Sequence, residues 1–126
     1  MIRHGVPPFL ECSSKGFKPF SAFYARIRAR NNRSIEELYQ AAKIFADGST
    51  GLTIKEAKGR QAINMNDVCK FYAQLWQEYI EENPEYKEVL FNATGLSDIF
   101  GQPNHMCQAT ELWKIKESLF VDPNWL

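Results

Sequence analysis

Glu36, Gln40 and Lys43 are spaced i, i+4 and i+7 in a segment whose apolar residues repeat with a helical period. A helix there projects a carboxylate, a carboxamide and an ammonium group from one face within two turns. Groups of these types can take up and return protons, and a carboxylate can stabilise positive charge that develops on a substrate. A solvated helix face is the competing reading, because polar residues at helical spacing are what any surface helix carries. The capping pattern Ser34-Ile35-Glu36-Glu37 sets Glu36 apart, since the Ser34 hydroxyl accepts from the Glu37 amide and the Glu37 carboxylate reaches back to Ser34. Glu36 has no capping duty.

The elements that must hold these groups can be read from periodicity. Ile35, Leu38, Tyr39, Ala42, Phe45 and Ala46 form an apolar stripe, which predicts a helix from Ser34 to Ala46 closed by Asp47-Gly48. That helix is expected at the heart of the domain, flanked by a second one from Asp67 to Glu82 with Asn66 as its cap and Val68, Phe71, Tyr72, Leu75, Trp76, Tyr79 and Ile80 as its stripe. A capping box, Thr53-Ile54-Lys55-Glu56, opens a short helix ending at Gly59. Asn83 caps another, with Pro84 at its first position and Gly95 past its end. A loop with Asp98-Ile99-Phe100-Gly101 leads to a last helix from about His105 that carries Met106, Ala109, Leu112, Trp113 and Leu119 and stops before Asp122-Pro123. Upstream, residues 17 to 30 alternate as a half-buried strand, with Phe23, Ala25, Ile27 and Ala29 facing inward and Tyr24, Arg26, Arg28 and Arg30 outward. Leu10 to Ser13 pairs with it as a hairpin. The fold class is therefore α+β, mostly α, a single domain over residues 1–126 with a small N-terminal β-hairpin or sheet.

Composition bounds the partners. Apolar residues make up 44% and charged residues 24% of 126 residues, which is the profile of a chain with its own core. Fifteen basic and fifteen acidic residues cancel, so any grip on phosphate comes from a local cluster and not from an overall field. Cys12, Cys69 and Cys107 form neither a disulfide framework nor a zinc spacing, and no metal or cofactor is implied. With no signal-peptide core and no run near the roughly 20 apolar residues of a membrane span, the expected location is cytoplasmic.

Five strings follow one another along the chain. Phe20-Ser21-Ala22-Phe23-Tyr24 precedes Ser34-Ile35-Glu36-Glu37-Leu38-Tyr39-Gln40-Ala41-Ala42-Lys43, then Ala57-Lys58-Gly59-Arg60, then the stretch from Glu82 to Thr94-Gly95, then Asp98-Ile99-Phe100-Gly101. In this order they resemble the NADAR superfamily over roughly residues 17 to 119. Its members include N-glycosidases of riboflavin-pathway intermediates and domains that remove ADP-ribose from guanine in nucleic acid. The resemblance implies catalytic roles for Glu36, Lys43 and Asp98, and pocket positions for Tyr39, Gln40, Arg60 and Phe100. It also implies a nucleotide or ADP-ribosylated nucleic acid as substrate. Three positions depart from the pattern: Glu37 stands for a histidine, Phe100 for a tryptophan, and Cys107-Gln108-Ala109 for the segment that opens the last helix. Such residues suit cleavage of a C–N glycosidic bond, where Glu36 or Asp98 stabilises the cationic sugar or activates water. A desolvated Lys43 either shuttles a proton or attacks the opened sugar as an amine.

Arg26, Arg28, Arg30 and Arg33 form the one dense basic stretch. On a strand face, Arg26 and Arg28 are candidates to grip a phosphate bidentately, or else they keep that face solvated. His4 and His105 have surface or structural roles, Trp76, Trp113 and Tyr79 belong to the core, and Cys107 is a thiol at a helix start. Two rivals to the enzyme remain. One is a binding module that holds a nucleotide such as ADP-ribose without turnover; the other is a nucleic-acid-binding protein built on the arginines, whose mark is steep salt dependence. The oligomeric state stays open.

Overall fold

The computed structural model describes residues 9–12, 15–97 and 108–121. Its order is β1 (Phe9–Glu11), β2 (Arg26–Ile27), β3 (Arg33–Ser34), α1 (Ile35–Ala41), α2 (Ile54–Ala57), α3 (Met65–Glu82), α4 (Pro84–Asn92), β4 (Gly95–Ser97) and α5 (Gln108–Val121). The class is α+β and mostly helical, with two two-stranded sheets. The centre is α3, which packs against α1, α4, α5 and β2, so α1 is a flank and not the heart of the fold. Length explains the exchange. Eighteen residues of α3 bury Val68, Tyr72, Leu75, Trp76, Tyr79 and Ile80, whereas α1 buries Ile35, Leu38 and Gln40. The main core joins the α3 stripe to Phe20, Ile27, Ile35, Leu90 and Leu112.

The long N-terminal strand does not form. Burial alternates only from Tyr24 to Arg28, with Ala25 and Ile27 inward, and single 3-10 turns occupy Lys18–Phe20 and Arg28–Arg30. Acceptors distant in sequence cause this: the Glu82 carboxylate takes the amides of Arg28 and Ala29 at 2.8 and 2.9 Å. They bend the backbone where alternation alone would extend it. The segment near Leu10 forms no strand pair with this region among the described residues, although the Phe17 amide donates to the Glu11 carbonyl at 2.7 Å. β1 runs parallel to β4 in the register Phe9↔Gly95, and Gly95, expected past a helix end, begins that strand.

Helix α1 also stops earlier than its stripe suggests, at Ala41. Carbonyls at a helix end need outside donors, and here three are supplied in succession. Ala41 accepts from the Gly51 amide at 3.0 Å, Ala42 from Asn64 Nδ2 at 3.1 Å and Lys43 from the Thr50 hydroxyl at 2.8 Å. Phe45 therefore leaves the helix and packs with Ala57 and Ala62 in a second, smaller core. Ser34 caps Glu37 at 3.1 Å, but the Glu37 carboxylate pairs with Arg33 at 3.4 Å and the reciprocal half of that box is not made. At α2 the Thr53–Glu56 box is complete.

Two asparagines at helix starts spend their side chains elsewhere than on caps. Asn64, not Asn66, precedes α3, and its side chain makes no cap; its Oδ1 accepts from the Ile44 amide at 2.9 Å while its Nδ2 donates to Ala42. Asn83 stands at the N-cap of α4 before Pro84, as expected, with its carbonyl accepting from the Tyr86 amide at 2.9 Å, but its side chain makes no cap and donates to the Tyr79 carbonyl at 2.7 Å. Asn64→Ala removes both bonds that hold the chain around Lys43. It should cost about 1–3 kcal/mol, with two backbone groups left short of partners, and urea unfolding followed by circular dichroism will read the loss.

No helix among the described residues is long and apolar enough to cross a membrane.

Candidate functional site

Glu36 stands in the first turn of α1, half-buried, with its amide donating to the Ala22 carbonyl at 2.9 Å. Its Oε2 accepts from Gln40 Nε2 at 2.7 Å, the i to i+4 contact that the spacing implied. Gln40 is 3% exposed, and its Oε1 has no donor among the described residues. An acceptor left in that state carries a desolvation cost.

Lys43 lies one residue past the C-cap Ala42, so it is not on the helix. The ammonium nonetheless reaches the same neighbourhood, 5.2 Å from the Tyr39 ring centroid. It donates to the carbonyls of Ala57 and Arg60 at 3.4 and 3.3 Å, both long bonds to neutral acceptors. Gly59, at φ +80, lets the chain turn between those carbonyls in a conformation that side chains with a Cβ disfavour. Burial drives the Lys43 pKa below its ordinary value, and the Glu36 carboxylate opposes part of that drop. Tyr39 responds in the opposite sense, pushed up to about 12 by burial first and then by the charge of Glu36. Its ring leans on Tyr72 at 5.1 Å.

The cationic state of Lys43 is thus penalised in the fold. Between its lowered pKa and the ordinary lysine value the unfolded chain binds the extra proton, so stability rises with pH through that window and is lower beneath it. Glu36→Gln removes the charge that raises the Lys43 pKa, and its midpoint should move further down. A carbon-detected NMR titration of the Lys43 ε-carbon measures both; an unchanged midpoint in Glu36→Gln would separate the two groups.

The other candidates distribute as follows. Arg60 is exposed, with its guanidinium 4.0 Å from the Phe45 ring centroid and its carbonyl on Lys43, so it borders the group. Arg26 is exposed and donates to the Asn32 carbonyl at 3.0 Å. Arg28 is tied to the far end of α3, donating to the Glu82 carbonyl at 2.6 Å and to Asn83 Oδ1 at 3.3 Å. The turn after Lys43 is held at the opposite end by Asn64, and the 18 residues between span about 27 Å at 1.5 Å per residue. Arg30 is likewise committed, to both oxygens of Glu78 at 2.8 Å. The structure therefore gathers Glu36, Tyr39, Gln40, Lys43 and the Arg60 turn, and leaves Arg28 outside. Asp98, Phe100, His105 and Cys107 lie outside the described residues, as does His4.

Two residues enter that pattern reading placed elsewhere. Phe23, expected inward, is 41% exposed, and the Lys58 ammonium stands 5.2 Å from its ring centroid. Gln108 accepts the Ala22 amide at 2.9 Å and so braces the strand of backbone that touches Glu36. Phe23 had a sequence signal in the first of the strings described above, whereas Gln108 lies in the segment that departs from the pattern.

Among the described residues no group of three or more His, Cys, Asp or Glu side chains could hold a metal ion. The whole is a helical α+β domain with a carboxylate, a carboxamide, a buried amine and a phenol in one cluster. No family model matches the chain, and no curated protein matches it.

Proposed function

We propose that this chain is an N-glycosyl hydrolase that separates a base from ribose in a nucleotide-like substrate, and that its kinship is with the NADAR superfamily. The observation that supports the reading is the buried Lys43 ammonium, 5.2 Å from the ring of Tyr39 on the helix whose first turns carry the Glu36–Gln40 hydrogen bond. Burial that pushes a lysine toward its neutral form is one of the ways in which a side chain is fitted for acid–base work. The order of the five strings supports the substrate class, ADP-ribosylated guanine or a phosphoribosylaminopyrimidine.

In the reaction, water oxygen bonds to the anomeric carbon as the C–N bond breaks, and the bonding pair leaves on the base nitrogen. Glu36 accepts the proton of the attacking water through the oxygen that Gln40 does not occupy, and its charge steadies the cationic sugar. Lys43 returns a proton to the departing base, for which a lowered pKa suits it. Asp98, assigned on the resemblance alone, is the second carboxylate. Substrate and enzyme are proposed to meet in the cytoplasm.

The test is incubation with a panel of N-ribosides, among them ADP-ribosylated guanine in DNA and phosphoribosylaminopyrimidines, with mass spectrometry watching for free base and sugar phosphate. Release of neither from any substrate, together with a melting temperature raised by ADP-ribose, would mark a binding module.

A further inference from the structure

Gln40 is hydrogen-bonded to both residues that the hydrolase reading takes from α1 and the turn after it. Its Nε2 donates to Glu36 Oε2 at 2.7 Å, and its backbone carbonyl accepts from the Lys43 amide at 3.3 Å. The other end of the carboxamide is left without a partner. Gln40 is 3% exposed, and its Oε1 is shut off from solvent with no donor among the described residues. Turning the carboxamide over brings no relief, because that sets an oxygen against the carboxylate and buries an unpaired N–H instead. The orphaned acceptor is therefore tied to the Glu36 bond, and what offsets its desolvation is that bond.

The chemistry of the donor matters here. A lysine or arginine at this place would make an ion pair with Glu36 and bury a second cation near Lys43. A carboxamide carries no charge and does not titrate, so it fixes one oxygen of the carboxylate and leaves the negative charge in place. With Oε1 shut away and Nε2 committed, what Gln40 contributes to chemistry passes through Glu36.

We propose that Gln40 is a positioning residue, which clamps Oε2 of Glu36 so that the remaining carboxylate oxygen is held ready for the attacking water. This rests on the hydrolase reading and deepens it. The geometry of the acid–base group is then set within α1, by two side chains one helical turn apart, before any substrate arrives.

Gln40→Met tests the assignment, since methionine keeps an unbranched stem of similar length and removes both the donor and the orphaned acceptor. With ADP-ribosylated guanine in DNA or a phosphoribosylaminopyrimidine, whichever the native chain cleaves, kcat should fall about tenfold to a hundredfold, the effect of a misplaced reacting group. KM should change little, because no binding contact is lost. The urea unfolding midpoint should hold. Unchanged kcat overturns the proposal, as does a midpoint that falls with it, which would make the bond a structural one. A second measurement needs no variant of Gln40: in NMR spectra of the native chain its side-chain amide signals should move when acid protonates Glu36, and that response should vanish in Glu36→Leu. Amide signals indifferent to Glu36 overturn the clamp whatever the kinetics. The hydrolase reading fails separately, through absence of base release from every riboside, and the amide response would keep the clamp on Glu36 standing even then.

Discussion

Glu36→Gln and Lys43→Met should each lower base release by about a hundred- to ten-thousandfold, the range of a positioned acid or base, while the fold survives. The two substitutions act on one unit. Glu36 sets part of the Lys43 charge state, so the double variant should be little worse than either single one, as for groups that work only together. Their stability effects should differ. Glu36→Gln leaves Gln40 an acceptor in place of a carboxylate and weakens a charge-assisted bond of 2.7 Å. Lys43→Met keeps the unbranched stem and removes a buried ammonium that has only long bonds to carbonyls. Its unfolding midpoint at neutral pH should not fall, since the desolvation cost of that charge disappears with it. A chain that loses turnover without losing stability separates a functional lysine from a structural one. Loss of both in Lys43→Met would make the ammonium a packing element and remove the basis of the hydrolase reading.

The part of this site that could be read from sequence is the part held by local rules. Glu36 and Gln40 meet because four residues make one helical turn, and Thr53 boxes with Glu56 for the same kind of reason. The i+7 argument for Lys43 reached the right neighbourhood by the wrong route. The residue is off the helix, and it is the turn around Gly59, through the carbonyls of Ala57 and Arg60, that receives the side chain. That turn is a long-range contact, and periodicity has no access to it. The arginines show the same limit from the other side. Their alternation suggested a solvent-facing row open to phosphate, but Glu78 and Glu82 of α3 occupy Arg30 and Arg28. Asn83 sits at the expected helix start, yet its side chain goes to the Tyr79 carbonyl, since an asparagine has both a donor and an acceptor to spend on whatever the fold brings near. The pairing of β1 with β4 joins Phe9 to Gly95, a parallel contact across most of the chain. No hairpin rule predicts such a contact.

Trp76→Ala should bring the largest loss of stability of any single change in the described residues, about 3–5 kcal/mol for a buried tryptophan truncated to alanine. The side chain is 0% exposed on the central helix and stands edge-on to Tyr72 at 6.4 Å and to Tyr79 at 5.6 Å. Tyr72 in turn supports Tyr39, so the cavity opens behind the cluster of Glu36, Tyr39 and Gln40. Against a typical total of about 5–15 kcal/mol, such a loss removes a large fraction of the stability and should lower the unfolding midpoint markedly. Trp76→Phe should cost far less than its lost volume suggests. The indole Nε1 has no acceptor among the described residues, and an orphaned buried donor carries a penalty of about 1–3 kcal/mol that the phenyl ring does not incur. Urea denaturation of both variants distinguishes the terms. If Trp76→Phe lost nearly as much as Trp76→Ala, the indole nitrogen would have a partner in the folded chain, and the central packing of α3 would rest on a polar contact as well as on apolar area.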